Sequence, residues 1–232
     1  RLRPSDPAPK TYDADYLESL ELGFKSTIGD GKLVMNGAFY SMDWKDYQTT
    51  TYDLSLVAVA FVDNVGNAEI TGIELNMVYA IDDTTSLTYY YNGVDSTLSE
   101  DYYQNNVLYA TSGNRLSYMP ETSAYISLDK DYTLAGRSAY MNLDYSYTGN
   151  RYNSYENGAI LLPSYGLANF RTGVDFNNTS LELYINNILD KDAYLSRYND
   201  FEGVGSSGYP GFGIRRTGSK PRVIGIRFRY RY

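Results

Sequence analysis

With no histidine and no cysteine in 232 residues, this chain can do side-chain chemistry only with carboxylates, arginines, lysines, hydroxyls and amides. Imidazole-based triads, His-bound zinc and thiolate sites are therefore excluded. The triplets Asp129-Lys130-Asp131 and Asp190-Lys191-Asp192 carry oxygen donors suited to Ca²⁺. Neither sits in a Gly-punctuated loop able to supply several ligands, so no metal site and no cofactor are expected. A glycosidase would need two inward carboxylates about 5–9.5 Å apart, and the pattern offers no such pair. No enzyme is expected. The other chemistry-bearing clusters are aromatic. Tyr102, Tyr103, Gln104, Tyr109 and Arg115 fall in one segment; Tyr198, Phe201, Tyr209, Phe212, Arg215 and Arg216 fall in another. Aromatic rings beside guanidinium and amide groups suit a planar or sugar-like ligand. The simpler reading, in which these residues pack their loops together, is favoured over direct contact, and the sequence does not choose between them.

The elements that must position these residues are strands. Leu20, Leu22 and Phe24 alternate with Glu21, Gly23 and Lys25; Ile73, Leu75, Met77, Tyr79 and Ile81 alternate with Gly72, Glu74 and Asn76. Met141, Leu143, Tyr145 and Tyr147 oppose Asn142, Asp144, Ser146 and Thr148. Phe170, Val174 and Phe176 oppose Asn169, Arg171 and Asp175, and Leu181, Leu183 and Ile185 oppose Glu182, Tyr184 and Asn186. Strict alternation marks strands with one apolar face. It predicts nine strands, over roughly 16–27, 32–50, 56–81, 86–94, 121–130, 137–152, 165–176, 179–189 and 221–232, paired as antiparallel hairpins. SLVAVAFV is apolar on both faces, and NVGNA reads as a bulge inside the third strand.

Short turns at Gly29-Asp30-Gly31, 82–85, 130–136 and Asn177-Asn178 alternate with longer segments at 95–120, 153–164 and 190–217. Only the gap between the second and third strands reads as modest. Segregated turns and loops are the pattern of a transmembrane β-barrel. Several strands also reach the ~9–11 residues of a tilted spanning strand, beyond the ~5–6 of a globular one. Tyrosine, at 27 residues, suits surfaces with one apolar and one wet side. The net charge of -8 argues against nucleic acid.

The last twelve residues, PRVIGIRFRYRY, place Ile224, Ile226, Phe228, Tyr230 and Tyr232 on one face and Gly225, Arg227, Arg229 and Arg231 on the other. Slipping the register by one would aim the arginines at hydrocarbon, at ~2–4 kcal/mol each near the midplane. The terminal tyrosines suit an interfacial aromatic girdle. The strand also resembles the assembly signal of bacterial outer-membrane proteins, carried by Ile226, Phe228, Tyr230 and Tyr232.

Taken in order, Glu21-Leu22-Gly23-Phe24-Lys25, NVGNAEITGIELNM, the pair PSYGLANFRTGVDF and SLELYINNILDKDAY, and PRVIGIRFRYRY resemble the C-terminal half of the barrel of TonB-dependent receptors. Each motif is short, but four in family-like order, from about Tyr12 to Tyr232, are specific. The resemblance implies an all-β, antiparallel transmembrane β-barrel in the bacterial outer membrane, with residues 1–232 forming about the last nine of 22 strands. It implies that the chain is a fragment, with the signal, TonB-contacting segment, plug and earlier strands lying elsewhere. Partners would be outer-membrane lipid, the TonB energy transducer, the barrel assembly machinery and a small-molecule nutrient such as a ferric siderophore or carbohydrate. Glu21, Lys25, Glu74, Arg171, Asp175, Arg227 and Arg229 would face the lumen. The loop residues Tyr102, Tyr103, Tyr109, Arg115, Tyr198, Phe201, Tyr209, Phe212, Arg215 and Arg216 would be ligand candidates. The alternatives are a passive outer-membrane porin, or a soluble secreted carbohydrate-binding β-sandwich.

Overall fold

Strands β1 (Tyr16–Ile28) and β2 (Leu33–Lys45) open the described part of the chain, followed by the small hairpin β3 (Gln48–Asp53) and β4 (Val59–Asn64). Next come β5 (Ala68–Asp82) and β6 (Thr85–Leu98), then the hairpin β7 (Tyr102–Gln104) and β8 (Val107–Ala110). The pattern repeats with β9 (Thr122–Leu134) and β10 (Arg137–Thr148), then β11 (Arg151–Tyr152) and β12 (Leu161–Leu162). It repeats again with β13 (Tyr165–Phe176) and β14 (Thr179–Asn186), then β15 (Tyr194–Tyr198) and β16 (Arg215–Gly218), and ends with β17 (Val223–Tyr230). This computed structural model describes residues 11–53, 59–198 and 215–231.

The nine longer strands form one antiparallel sheet in the order β1-β2-β5-β6-β9-β10-β13-β14-β17, each beside its sheet neighbours in sequence. Among the described residues the other sheets are all two-stranded, and none is the second large sheet that a sandwich requires. The short turns need left-handed backbone: Ala135 and Gly136 have φ of 51° and 75°, as a two-residue hairpin turn demands. At 82–85, the Asp82 carboxylate accepts from the Thr84 N–H at 2.8 Å and its hydroxyl at 2.7 Å.

The expected fourth strand runs on to Leu98 and the fifth to Leu134, leaving a two-residue turn where 130–136 was expected, while the sixth stops at Thr148 and the eighth at Asn186. Two further expected strands differ in kind. The second ends at Lys45, and the expected third divides into β4 and β5. The reason lies in SLVAVAFV, which has no polar face to turn away from lipid. Instead β3 and β4 form a separate hairpin, in which Phe61 is buried, and Val65 just after it packs in the core at the long-loop end. NVGNA is the turn between β4 and β5, with Gly66 at φ 101°. The connection between the second and third sheet strands is therefore long, and the alternation of short turns with long connections holds throughout.

Register lays down a continuous apolar row. Ile28 pairs with Leu33, then Tyr79, Leu87, Leu128, Leu143, Phe170, Ile185 and Ile224, one residue from each sheet strand. The row begins at the short-turn end of β1 and finishes at the long-loop end of β17. Such a climb is the strand stagger of a barrel wall. Exposure marks the edges: Leu22 on β1 is 78 % exposed and Ile226 on β17 is 71 %, whereas Leu183 on the inner strand β14 is 40 %. The edge residues lack a neighbour on one side.

The buried core lies at the long-loop end. Ile70, Val94 and Leu98 of the sheet meet Val65, Tyr102, Ala110, Leu116 and Tyr155 from three connections. Burying these side chains fixes the connections to one another and to the sheet.

Candidate functional site on the polar face and loop rim

Residues opposite the apolar row build a hydrogen-bonded network. On β9 and β10, the Asn142 amide donates to Ser127 Oγ and Asp129 Oδ1, each at 2.7 Å. Arg171 Nε donates to Asn142 Oδ1 at 2.9 Å, and Asn169 donates to Asp144 Oδ2 at 2.8 Å. Glu182 receives two donors, Arg227 Nη1 at 2.6 Å and the Tyr140 hydroxyl at 2.5 Å. The Arg227 guanidinium also stacks over Tyr184, 5.5 Å from the ring centre.

All seven residues expected to line the lumen share this polar face. Glu21 pairs with Tyr40, Lys25 with Asn36, Glu74 with Asn92, Arg171 with Tyr184, Arg227 with Glu182, and Asp175 with Ser180, itself opposite Arg229. Arg171 and Arg227 come together at one cavity; Glu21, Lys25 and Glu74 lie at the far side of the sheet. Ile226, Phe228 and Tyr230 stand on the apolar face, paired with Leu183, Leu181 and Thr179; Tyr232 lies outside the described residues.

The loop candidates separate by environment. Tyr102 is 7 % exposed and donates to Asp63 Oδ2 at 2.8 Å; burial, and the bond to Asp63, push its hydroxyl pKa well above the ordinary value. Tyr109 meets it edge-on at 6.0 Å and packs against the same core. Tyr103 is exposed, and Gln104 buries its amide nitrogen with no hydrogen-bond partner among the described residues. Arg115 bridges Asp95 and Glu121, each at 3.2 Å, and donates to the Val94 carbonyl. Arg216 pairs with Asp192 at 3.2 Å and stacks over Tyr194. Tyr198 and Arg215 face each other in the backbone register of β15 and β16. Phe201, Tyr209 and Phe212 lie outside the described residues.

Sequence reasoning missed two features. Arg151 is 4 % exposed; its Nη2 donates to the Tyr194 and Leu195 carbonyls at 2.7 and 2.9 Å and its guanidinium lies over Tyr165. It ties the β10–β13 connection to the β15/β16 hairpin. Asn187, inside Asn186-Asn187-Ile188-Leu189-Asp190-Lys191, is the second. Its amide donates to the Lys191 and Lys220 carbonyls, while its oxygen accepts from Lys191 N–H. Asp190 accepts from Arg222 N–H at 2.8 Å. This motif is thus a clasp joining both ends of the 187–222 connection; its compactness in sequence was the available signal.

Staggered antiparallel strands, one apolar face, one polar face and segregated connections define part of a transmembrane β-barrel wall. The chain belongs to the TonB dependent receptor-like, beta-barrel family, whose match spans residues 10–188. Members of that family are bacterial outer-membrane proteins, and this chain is placed there with them. Among solved structures, the ferric yersiniabactin uptake receptor FyuA from Yersinia pestis superposes with a TM-score of 0.71 at 17 % identity, over 93 % of this chain and 30 % of that one. The siderophore receptor PiuA from Acinetobacter baumannii gives 0.67 at 18 %, over 93 % and 28 %. The FrpB iron transporter from Neisseria meningitidis gives 0.66 at 15 %, over 94 % and 31 %. This chain therefore spans about a third of the length of the structures it matches. No match was found among curated protein sequences.

Proposed function

We propose that these strands are one arc of a closed outer-membrane barrel that takes up a scarce nutrient, such as a ferric siderophore or carbohydrate, by transport coupled to TonB. The family membership carries this reading. The uptake receptors and the iron transporter among the similar structures support a chelated-metal cargo. The polar face lines the lumen, where charged side chains keep water or protein contacts, and the apolar row meets lipid. Among the described loop candidates, the exposed Tyr103 and the half-exposed guanidinium of Arg216 are best placed to meet cargo from outside, while Arg115 is spent on Asp95 and Glu121. Tyr102 and Tyr109 hold the loops in position beneath them. The barrel wall performs no covalent step. Its C-terminal strand is the element read by the assembly machinery, and TonB acts through a segment outside these residues.

β1 and β17 both run from the long-loop end to the short-turn end. They cannot pair antiparallel with each other, and unpaired edges in hydrocarbon cost several kcal/mol per group. An odd number of further antiparallel strands must lie between them; the thirteen that would complete about 22 satisfy this parity.

The test is fractionation of the native organism with an antibody to this chain, followed by uptake of a panel of labelled ferric siderophores in cells with and without TonB. The expected result is a heat-modifiable outer-membrane band well above 26.2 kDa and TonB-dependent uptake lost on gene deletion. A soluble band at that mass with no heat shift would overturn the reading.

A further inference from the structure

A cavity of about 200 Å³ opens on the polar face between β10, β13, β14 and β17, lined in part by Asp144, Arg171, Glu182, Asn186 and Arg227. Its charges are not equally occupied. Both oxygens of Glu182 are taken by Arg227 and Tyr140, and Asp144 accepts from Asn169. Among the described residues Arg171 is held only through Nε, by the neutral Asn142. Among the described residues no ion pair forms to Arg171, so the forked outer pair of its guanidinium is unspent. Asn142 is itself fixed by Ser127 and Asp129, which holds the fork in place without an ion pair.

We propose that this cavity is a carboxylate-binding subsite, with Arg171 offering its bidentate fork and Arg227 a second donor from the opposite side. A planar fork matches a carboxylate in two parallel hydrogen bonds. The volume exceeds several waters at ~30 Å³ each but falls below the ~300–1,000 Å³ of a whole ligand pocket. It therefore anchors one acid group, carried either by a soluble ligand or by an Asp or Glu from another segment of the full-length protein. Only the cavity's orientation toward the lumen rests on the proposed function.

The test uses the full-length protein in detergent, with citrate as the probe, and an experimentally determined structure of the same sample. For a soluble ligand, Arg171→Gln and Arg227→Gln each weaken citrate binding about tenfold or more, the loss of a charged hydrogen bond. Lys32→Gln, which removes a charge at a distant turn, leaves affinity unchanged. Glu182→Gln, by releasing Arg227, strengthens it, a gain that a purely structural role for the network would not produce. For an internal source, citrate does not bind, and the structure shows an acidic side chain seated on Arg171. An Arg171 fork met only by water, with citrate unbound or bound equally by Arg171→Gln, overturns the proposal. Absence of the heat-modifiable outer-membrane form would strike the functional reading alone.

Discussion

Gly72 has the Tyr40 ring lying across it from the neighbouring strand, and a Cβ there would collide with that ring while lying 2.9 Å from the Gly93 carbonyl oxygen. Tyr140 covers Gly173 and Tyr184 covers Gly225 in the same way, each across a directly paired position. The aromatic side chain supplies the contact surface that glycine lacks. Gly72→Ala should destabilise the barrel by about 1–3 kcal/mol through overpacking, read as a lower temperature for loss of the compact band on gels. Leu143, midway along β10 on the apolar face, gives a second residue-level test. Leu143→Arg should cost ~2–4 kcal/mol if it meets the bilayer midplane. An unchanged unfolding midpoint in lipid would place that face in water instead.

Between elements, the connections are held by single residues whose removal should be visible locally. Arg151→Ala removes two charge-assisted bonds to the start of β15, each of the order of 1.5–3 kcal/mol. Protease cleavage within 190–198 should speed up while the sheet resists. Glu156, in the 149–164 connection, has its pKa raised by burial, partly offset by hydrogen bonds from Ser154 and Tyr109. A carboxyl raised in the folded loop favours the protonated form there. Its contribution to loop packing is complete below the ordinary carboxylate pKa and is lost as pH rises through the higher folded value. Limited proteolysis from pH 4 to 7 should therefore show loops better protected in acid. Glu156→Gln should flatten that trend and hold the protected state at neutral pH.

For the whole molecule, the direction of the edge strands decides what can complete the barrel. A second copy joined head to tail would set β1 parallel to β17, so a ring of these nine-stranded units cannot keep antiparallel joints. The native protein should accordingly run as one heat-modifiable species rather than as a multimer of this unit. Crosslinks from a cysteine placed at Ile226 should map to strands outside these residues. A crosslink to β1 of a second copy would contradict the parity argument.

Alternation by itself determined most of the strands and both faces, because a period of two fixes side-chain direction residue by residue; the antiparallel order followed from connections too poor in helix to make a parallel crossover. The family resemblance was legible for a related reason: motifs such as Asn186 to Lys191 and Pro221-Arg222 perform local backbone work, here a clasp, that keeps their spacing fixed. The division of the expected third strand was not legible, since a run apolar on both faces fits a buried strand in either a sheet or a loop hairpin. Nor could composition reveal which polar residues meet. Only pairing register brings Arg171 and Arg227, more than fifty residues apart in the chain, to one cavity. The same register leaves the fork of Arg171 open while closing that of Glu182. Hydrogen bonding is directional and short-ranged, so which charges are neutralised is decided in three dimensions.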